Sequence, residues 1–295
     1  MAKLGKWLDK HLHYVFTVPT VLFVLGMVLF PILYTFVLSL NDWRGSNQQP
    51  WKFQGLKNYI ELFSNTRFPY AVGRTFLFAV ICLAIEIVLG VAIAIYLNRN
   101  FFGKNLVKTA YLLPMVATPV AIGMVWKLIY EPSIGILNAF LKAVGGTRID
   151  WLGDSGLAIY SLMVVDIWQW TPFVMLIVLA GLTSIPTDPL ESAKIDGANR
   201  WQLITKITLP LLRPTIYTAI LLRLIDVLKT FDIIYSMTQG GPGFATETMN
   251  ILSFRQAFEF MQFGDASATL IVFFIIVMLI AVLVIKIKSR SEVDF

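Results

Sequence analysis

Apolar runs long enough to cross a lipid bilayer constrain this chain more than any other feature. A spanning helix needs about 20 mostly apolar residues, and residues 15–40, 70–97 and 266–285 each supply such a stretch. Residues 109–130 form a fourth, with Lys127 near one end, and residues 157–182 a fifth in spite of Asp166, Gln169 and Pro172. Hydrocarbon offers backbone groups no partner, so runs of this kind fold as helices, and the expected class is an all-α integral membrane protein. A sixth candidate, 214–235, is marginal: its longest uncharged run is Pro214 to Leu222, and Arg223, Asp226, Lys229 and Asp232 follow.

Charge placement argues for the sixth span. With six transmembrane helices, the segments 1–14, 98–108, 183–213 and 286–295 share one side and hold 13 Lys or Arg in 66 residues, against seven in 85 residues for 41–69, 131–156 and 236–265. The positive-inside bias then places both termini in the cytoplasm of a multi-pass protein, with a bacterial cytoplasmic (inner) membrane as the expected location. The net charge of +6 is thus an orientation signal, and no nucleic-acid partner is expected. Only 14% of residues are charged and 57% are hydrophobic, too few charges for the shell of a soluble domain and too apolar for a disordered chain. Lys3, Lys6 and Lys10 resemble the start of a signal peptide, but the following apolar run is too long and lacks a small-residue cleavage site, so a retained anchor is expected. Residues 1–295 are expected to form one transmembrane domain. The single cysteine, Cys82, excludes an intrachain disulfide or Cys-rich metal site and is expected in the core, while His11 and His13 lack partners for a metal or triad and are expected to be solvated.

The 31 residues from Thr183 to Arg213 carry a strong local code. Asp188 is expected to N-cap a short helix, with Pro189 at its first position and Glu191 three residues after the cap. Gly197 can close that helix in a left-handed conformation. A second helix is expected from about Arg200 to Leu209, stopped by Pro210, giving a helix–turn–helix at the cytoplasmic surface.

Polar side chains inside spans are costly and face cavities or one another. Asp166, Gln169, Trp170 and Phe173 fall on one face of the span 157–182. A carboxylate, an amide and aromatic rings on one stripe suit a sugar, or else join spans to one another. Arg223, Asp226 and Thr230 share a face of the span 214–235, with Lys229 and Asp232 on an adjacent strip, and are expected to neutralise one another, line a water-filled cavity, or do both. Glu86, mid-helix in the second span, is expected to pair with another helix.

The loop resembles the EAA motif of importer-type ABC transporter permeases: E-S-A from Glu191 through Ser192 to Ala193, Asp196-Gly197-Ala198, Ile207 and Leu209-Pro210 fit without a gap, with Ser192 where alanine is usual. Y-L-L-P (111–114), G-x-x-N (135–138), I-D-G-A (195–198) and Phe231-Asp232 followed by M-T-Q-G-G-P-G (237–243) resemble the carbohydrate branch, in particular the maltose-type first permease. The resemblance implies a type I ABC importer permease fold and a coupling helix seated on an ATPase subunit, with Glu191 and Gly197 critical. It implies a second permease subunit, an ATPase dimer, an extracytoplasmic solute-binding protein and a carbohydrate substrate as partners, beside membrane lipid. It also implies sugar contacts at Gln169, Trp170, Phe173, Arg223, Asp226, Val227 and Thr230. The side chains at the second stretch differ from the maltose pattern, which points to another ligand: an oligosaccharide, a glycoside, a polyol or a sugar bearing an acidic group.

No G-x-x-x-x-G-K-[ST] loop is present, so ATP and Mg are expected on the separate ATPase, with no cofactor, metal or catalytic residue in this chain. An ABC permease for a non-sugar solute is the alternative. A proton-coupled secondary transporter using Asp166, Glu86 or Asp226 is disfavoured by the lack of inverted repeats, and a membrane enzyme by the lack of H-E-x-x-H, a nucleophile–His pairing or a carboxylate dyad.

Overall fold

The computed structural model describes residues 2–45 and 51–292, with side chains described for residue 14 and for 16–45 and 51–288; His11 and His13 lie outside the described side chains. The helices in chain order are α1 (Ala2–Ser39), α2 (Lys57–Ser64), α3 (Arg67–Leu97), α4 (Lys104–Val116), α5 (Pro119–Ile129), α6 (Ile136–Ala143), α7 (Ala158–Thr183), α8 (Asp188–Ile195), α9 (Arg200–Gln202), α10 (Leu209–Leu228), α11 (Asp232–Thr238), α12 (Met249–Phe254) and α13 (Phe263–Glu292). Two-residue strands, Asn41–Asp42 and Lys52–Phe53, pair antiparallel. The chain divides into two compact units, Met1–Asn65 with Ser253–Val272, and Thr66–Leu252 with Phe273–Phe295.

In the first unit, Asn58 is buried and donates to the carbonyls of Ser39 (2.8 Å) and Asn41 (3.0 Å), so one amide caps the exposed carbonyls at the end of α1. Thr269 donates to Gln256 Oε1 (2.8 Å) and Trp43 packs on Phe263 with centroids 4.7 Å apart. Most of α1 from Phe16 onward exposes its apolar side chains, as a lipid-facing helix does.

In the second unit α7 is the most enclosed of the long apolar helices. It packs along α3, whose buried stripe runs Phe78, Cys82, Glu86, Gly90, Ala94 and Leu97 at three- and four-residue spacing. Cys82 is fully buried, as expected of a core residue. The apolar heart joins Ala94, Val174, Met175, Val178, Leu212 and Ala219, from α3, α7 and α10. At Gly90 the two backbones come so close that a Cβ would lie 2.6 Å from Val174 Cγ1 and 3.1 Å from the Met175 amide nitrogen. Small residues that admit such an approach drive helix association in lipid, where no hydrophobic effect acts between helices.

The expected spans are corrected in two places. Among the described residues, Phe16–Ser39, Arg67–Leu97, Ala158–Thr183 and Phe263–Lys288 are single helices long and apolar enough to cross a membrane. The stretch 109–130 is instead a pair, α4 and α5, bent by 97°. The residue before a proline is pushed out of the helical region, and Thr118, preceding Pro119, is extended (ψ 139°), as is Ala117 (ψ 148°). The stretch 214–235 is not one helix either. α10 ends at Leu228, residues 229–231 leave the helix, and α11 restarts at Asp232. α10 carries Arg213, Arg223 and Asp226 and does not qualify as a span on composition. The fold class stands; of the six expected spans, four are single helices among the described residues, one is a bent pair and one is charged and broken.

The loop 183–213 is corrected as well. Asp188 is the first residue of α8 and not its cap; the cap position is Thr187, which makes no side-chain cap bond. Pro189 is the second residue of α8, one place later than expected, and still within the first turn. Gly197 is left-handed (φ +83°), with Ala198 N–H donating to Ala193 O (2.9 Å) and Gly197 N–H to Lys194 O (3.1 Å), a Schellman closure. The capping box forms at the next helix: Asn199 accepts from the Gln202 amide (2.9 Å), and Gln202 Oε1 accepts from the Asn199 amide (2.8 Å). Pro210 does not stop the helix. A π-turn, Leu203–Thr208, closes on Leu209, whose N–H reaches Ile204 O, and Pro210 falls in the first turn of α10. In a regular α-helix the ring would press on the carbonyl four residues back; the wider turn relieves it.

Gly90→Val should destabilise the protein by about 1–3 kcal/mol through overpacking, whereas Gly73→Val, with nothing within 4 Å of its would-be Cβ, should not. Thermal unfolding of both variants in detergent checks this; equal midpoints would contradict the close α3–α7 approach.

Candidate functional site

A cavity of about 340 Å³ opens where the two helix breaks meet α7 and the C-terminal end of α10. Its walls are Asp166 and Trp170 from α7, Pro119 at the α4–α5 bend, Arg223 and Asp226 from α10, and Lys229, Thr230, Phe231, Asp232 and Ile233 at the α10–α11 break. Irregular backbone at membrane depth is tolerated only where protein buries it or a cavity lies beside it, and both conditions hold. The carbonyl of Lys229, freed at the end of α10, accepts from Asn250 Nδ2 (2.6 Å), and the Ala117 carbonyl at the other bend accepts from Gln169 Nε2 (3.2 Å).

One wall is electrostatic. Arg223, 1% exposed, donates through Nε and Nη2 to Glu86 (2.6 and 3.0 Å) and through Nη2 to Asp166. Its guanidinium carbon also sits 5.2 Å from the centre of the Trp170 ring. A planar fork suits a two-point carboxylate bond, and the ring adds a cation–π contact. The expected neutralisation between Arg223 and Asp226 is therefore corrected. Arg223 pairs across helices with Glu86 of α3 and Asp166 of α7, while Asp226 pairs with Lys229 at 3.8 Å, both about half exposed. The physical reason is depth: Arg223 points into the packed centre, where only a buried carboxylate can compensate it.

The expected contact residues separate into two groups. Asp166, Trp170, Arg223, Asp226 and Thr230 meet at the cavity. Val227 is buried (2% exposed) in the packing between helices. Gln169 is fully buried and spends its amide on the α4–α5 bend; Phe173 packs edge-on to Trp170 at 6.3 Å. Thr230 lies beyond the end of α10, so its helical spacing from Arg223 does not apply; the chain bend brings it to the wall. Sequence spacing missed Pro119, Phe231 and Ile233, though the proline itself was a visible signal of a break. Asp166 Oδ1 and Gln169 Oε1 are buried with no hydrogen-bond partner among the described residues.

The α8–α9 hairpin is a separate surface. Glu191, Ser192, Asp196 and Gly197 are exposed, and Ala193, Ala198, Leu209 and Pro210 half-buried. Two large apolar residues that sequence reading passed over, Ile195 at 86% and Trp201 at 73% exposure, stand out from it.

Residues 86–288 match the family described as binding-protein-dependent transport system inner membrane components. The chain is 34% identical, over 96% of its length and 95% of the relative's, to the trehalose/maltose transport system permease protein MalF of Thermococcus litoralis. It is 31% identical, over the whole of both chains, to the probable starch degradation products transport system permease protein AmyD of Thermoanaerobacterium thermosulfurigenes. Its fold is similar to that of a chain in the crystal structure of a bacterial ABC transporter involved in import of the acidic polysaccharide alginate, with a TM-score of 0.84 at 24% identity, covering 98% of this chain and 99% of that one.

Arg223→Met strands two buried carboxylates and should destabilise the assembly by about 3–5 kcal/mol. Glu86→Gln with Asp166→Asn and Arg223→Met together should recover most of that loss. Thermal unfolding of the two purified forms checks this; equal destabilisation would mean the network is not what the helices depend on.

Proposed function

The chain belongs to the family of binding-protein-dependent transport system inner membrane components, and from that premise we propose that it is a membrane-spanning subunit of an ATP-driven ABC importer, taking up a carbohydrate delivered by a solute-binding protein. The observation that carries the substrate class is the near full-length likeness to permeases named for trehalose, maltose and starch degradation products. The cavity supports it. A carboxylate, an exposed Asp–Lys pair, a threonine hydroxyl and two aromatic residues line one space, which are the group types that hold sugar hydroxyls and ring faces.

The chain itself is the transport subunit and not an enzyme. ATP and Mg belong to a separate ATPase dimer, and a second permease subunit completes the path. The α8–α9 hairpin seats on the ATPase, with Glu191 and Asp196 offering charge, Gly197 the turn, and Ile195 and Trp201 apolar contacts. Closure of the ATPase dimer then moves the hairpin, and with it α10, to which it is joined through the π-turn; the cavity changes the side it faces. The segments 183–213 and both termini lie in the cytoplasm.

In proteoliposomes carrying the full assembly, with binding protein outside and ATP inside, maltose or trehalose should accumulate. Asp226→Ala should lower uptake by about tenfold or more while sparing ATP hydrolysis, since a hydrogen bond to a charged group contributes about 1.5–3 kcal/mol. Unchanged uptake would remove Asp226 from the path. Glu191→Ala with Gly197→Val should lower uptake and binding-protein-stimulated ATP hydrolysis together; normal coupling in that variant would overturn the hairpin's role. Uptake by this chain alone under a pH gradient would overturn the importer reading itself.

A further inference from the structure

The cavity carries more acid than base. Its walls present three carboxylates, Asp166, Asp226 and Asp232, against two cations, Arg223 and Lys229. Both cations have carboxylate partners. Lys229 faces Asp226 at 3.8 Å. Arg223 is held from two sides, by Asp166 on the wall and by Glu86 behind it, with the Trp170 ring over its carbon. On the wall residue Asp166, Oδ1 is buried without a hydrogen-bond partner among the described residues. A buried acceptor left unpaired is unfavourable by about 1–3 kcal/mol, so the site is completed by groups that donate.

We propose that this cavity reads its ligand by the hydrogen bonds the ligand donates, taking hydroxyl-rich saccharides without acidic groups and excluding uronates, and that Glu86 sets this preference from behind Arg223. The inference rests on the carbohydrate reading above and narrows it. A neutral sugar offers hydroxyl donors to Asp166 and Asp226 and a ring face to the aromatic wall. A uronate brings a carboxylate among carboxylates, and the one deep cation is already engaged. Glu86 is a positioning residue: it does not form part of the wall, but it takes two of the guanidinium hydrogen bonds and cancels the charge that an acidic sugar would need. This departs from the sequence-based expectation that the Arg223–Asp226 pairing could suit a sugar with an acidic group.

The test uses the full assembly in lipid nanodiscs without the binding protein, so that the permease is read alone. Ligand-detected saturation-transfer NMR compares a neutral glucosyl disaccharide with the matched disaccharide in which one ring is a uronate. The neutral sugar should bind and the uronate should bind at least about tenfold more weakly, because one unit charge facing another across a partly desolvated site exceeds that factor. Glu86→Gln should narrow the gap severalfold, and so should Asp226→Asn, which serves if the first variant does not assemble. Trp170→Ala should abolish the neutral signal. Equal binding of the two sugars by the unmodified assembly, or a gap unmoved by an assembled variant, would overturn the inference while leaving the carbohydrate reading intact. A neutral signal that survives Trp170→Ala would place binding elsewhere and overturn the inference. Absence of binding by either sugar would overturn the carbohydrate site itself.

Discussion

A guanidinium at the centre of a membrane protein must be compensated where it lies, and Arg223 is compensated from two helices at once. Its fork is filled by Glu86 of α3 and its remaining reach by Asp166 of α7, so α3, α7 and α10 are obliged to converge. The apolar packing agrees with that convergence. Glu86 and Gly90 lie one turn apart on the same buried stripe of α3, so the stripe supplies both an ion pair and a close backbone approach to α7. The ion network by itself is weak evidence of stability, since desolvation opposes it; what it supplies is register, because only one rotation and height of the three helices satisfies all of its bonds.

The same convergence explains why the cavity lies where it does. A helix that ends inside hydrocarbon leaves carbonyls and amides without partners, and both breaks here resolve that with a side-chain amide: Gln169 at the α4–α5 bend and Asn250 at the α10–α11 break. The breaks also give the space polar edges that an intact helix would hide. The cavity is thus formed where regular structure is interrupted, an arrangement common in solute paths built from discontinuous helices.

Much was legible beforehand. Helix content, the long apolar spans, the loop 183–213 with its left-handed Gly197, and the polar stripe on α7 follow from composition, period and local turn chemistry. Errors fell where local signals compete. Asp188 with Glu191 and Asn199 with Gln202 offer the same spacing, yet the reciprocal bonds form only at Asn199, because Asp188 is already the first residue of α8. Pro210 reads as a stop, yet a π-turn carries the helix past it. Arg223 and Asp226 are good partners by spacing, yet the arginine pairs elsewhere.

What the sequence alone determined is therefore what short-range and one-dimensional physics decides: which stretches cannot remain in water and which residues can turn the chain. The tertiary structure decided which charges meet. Glu86 and Arg223 are 137 residues apart, and nothing local couples them; their pairing exists because packing brings α3, α7 and α10 together in a medium where an unpaired charge is untenable. That long-range choice gave Arg223 its two carboxylates and set Asp166 at the cavity wall.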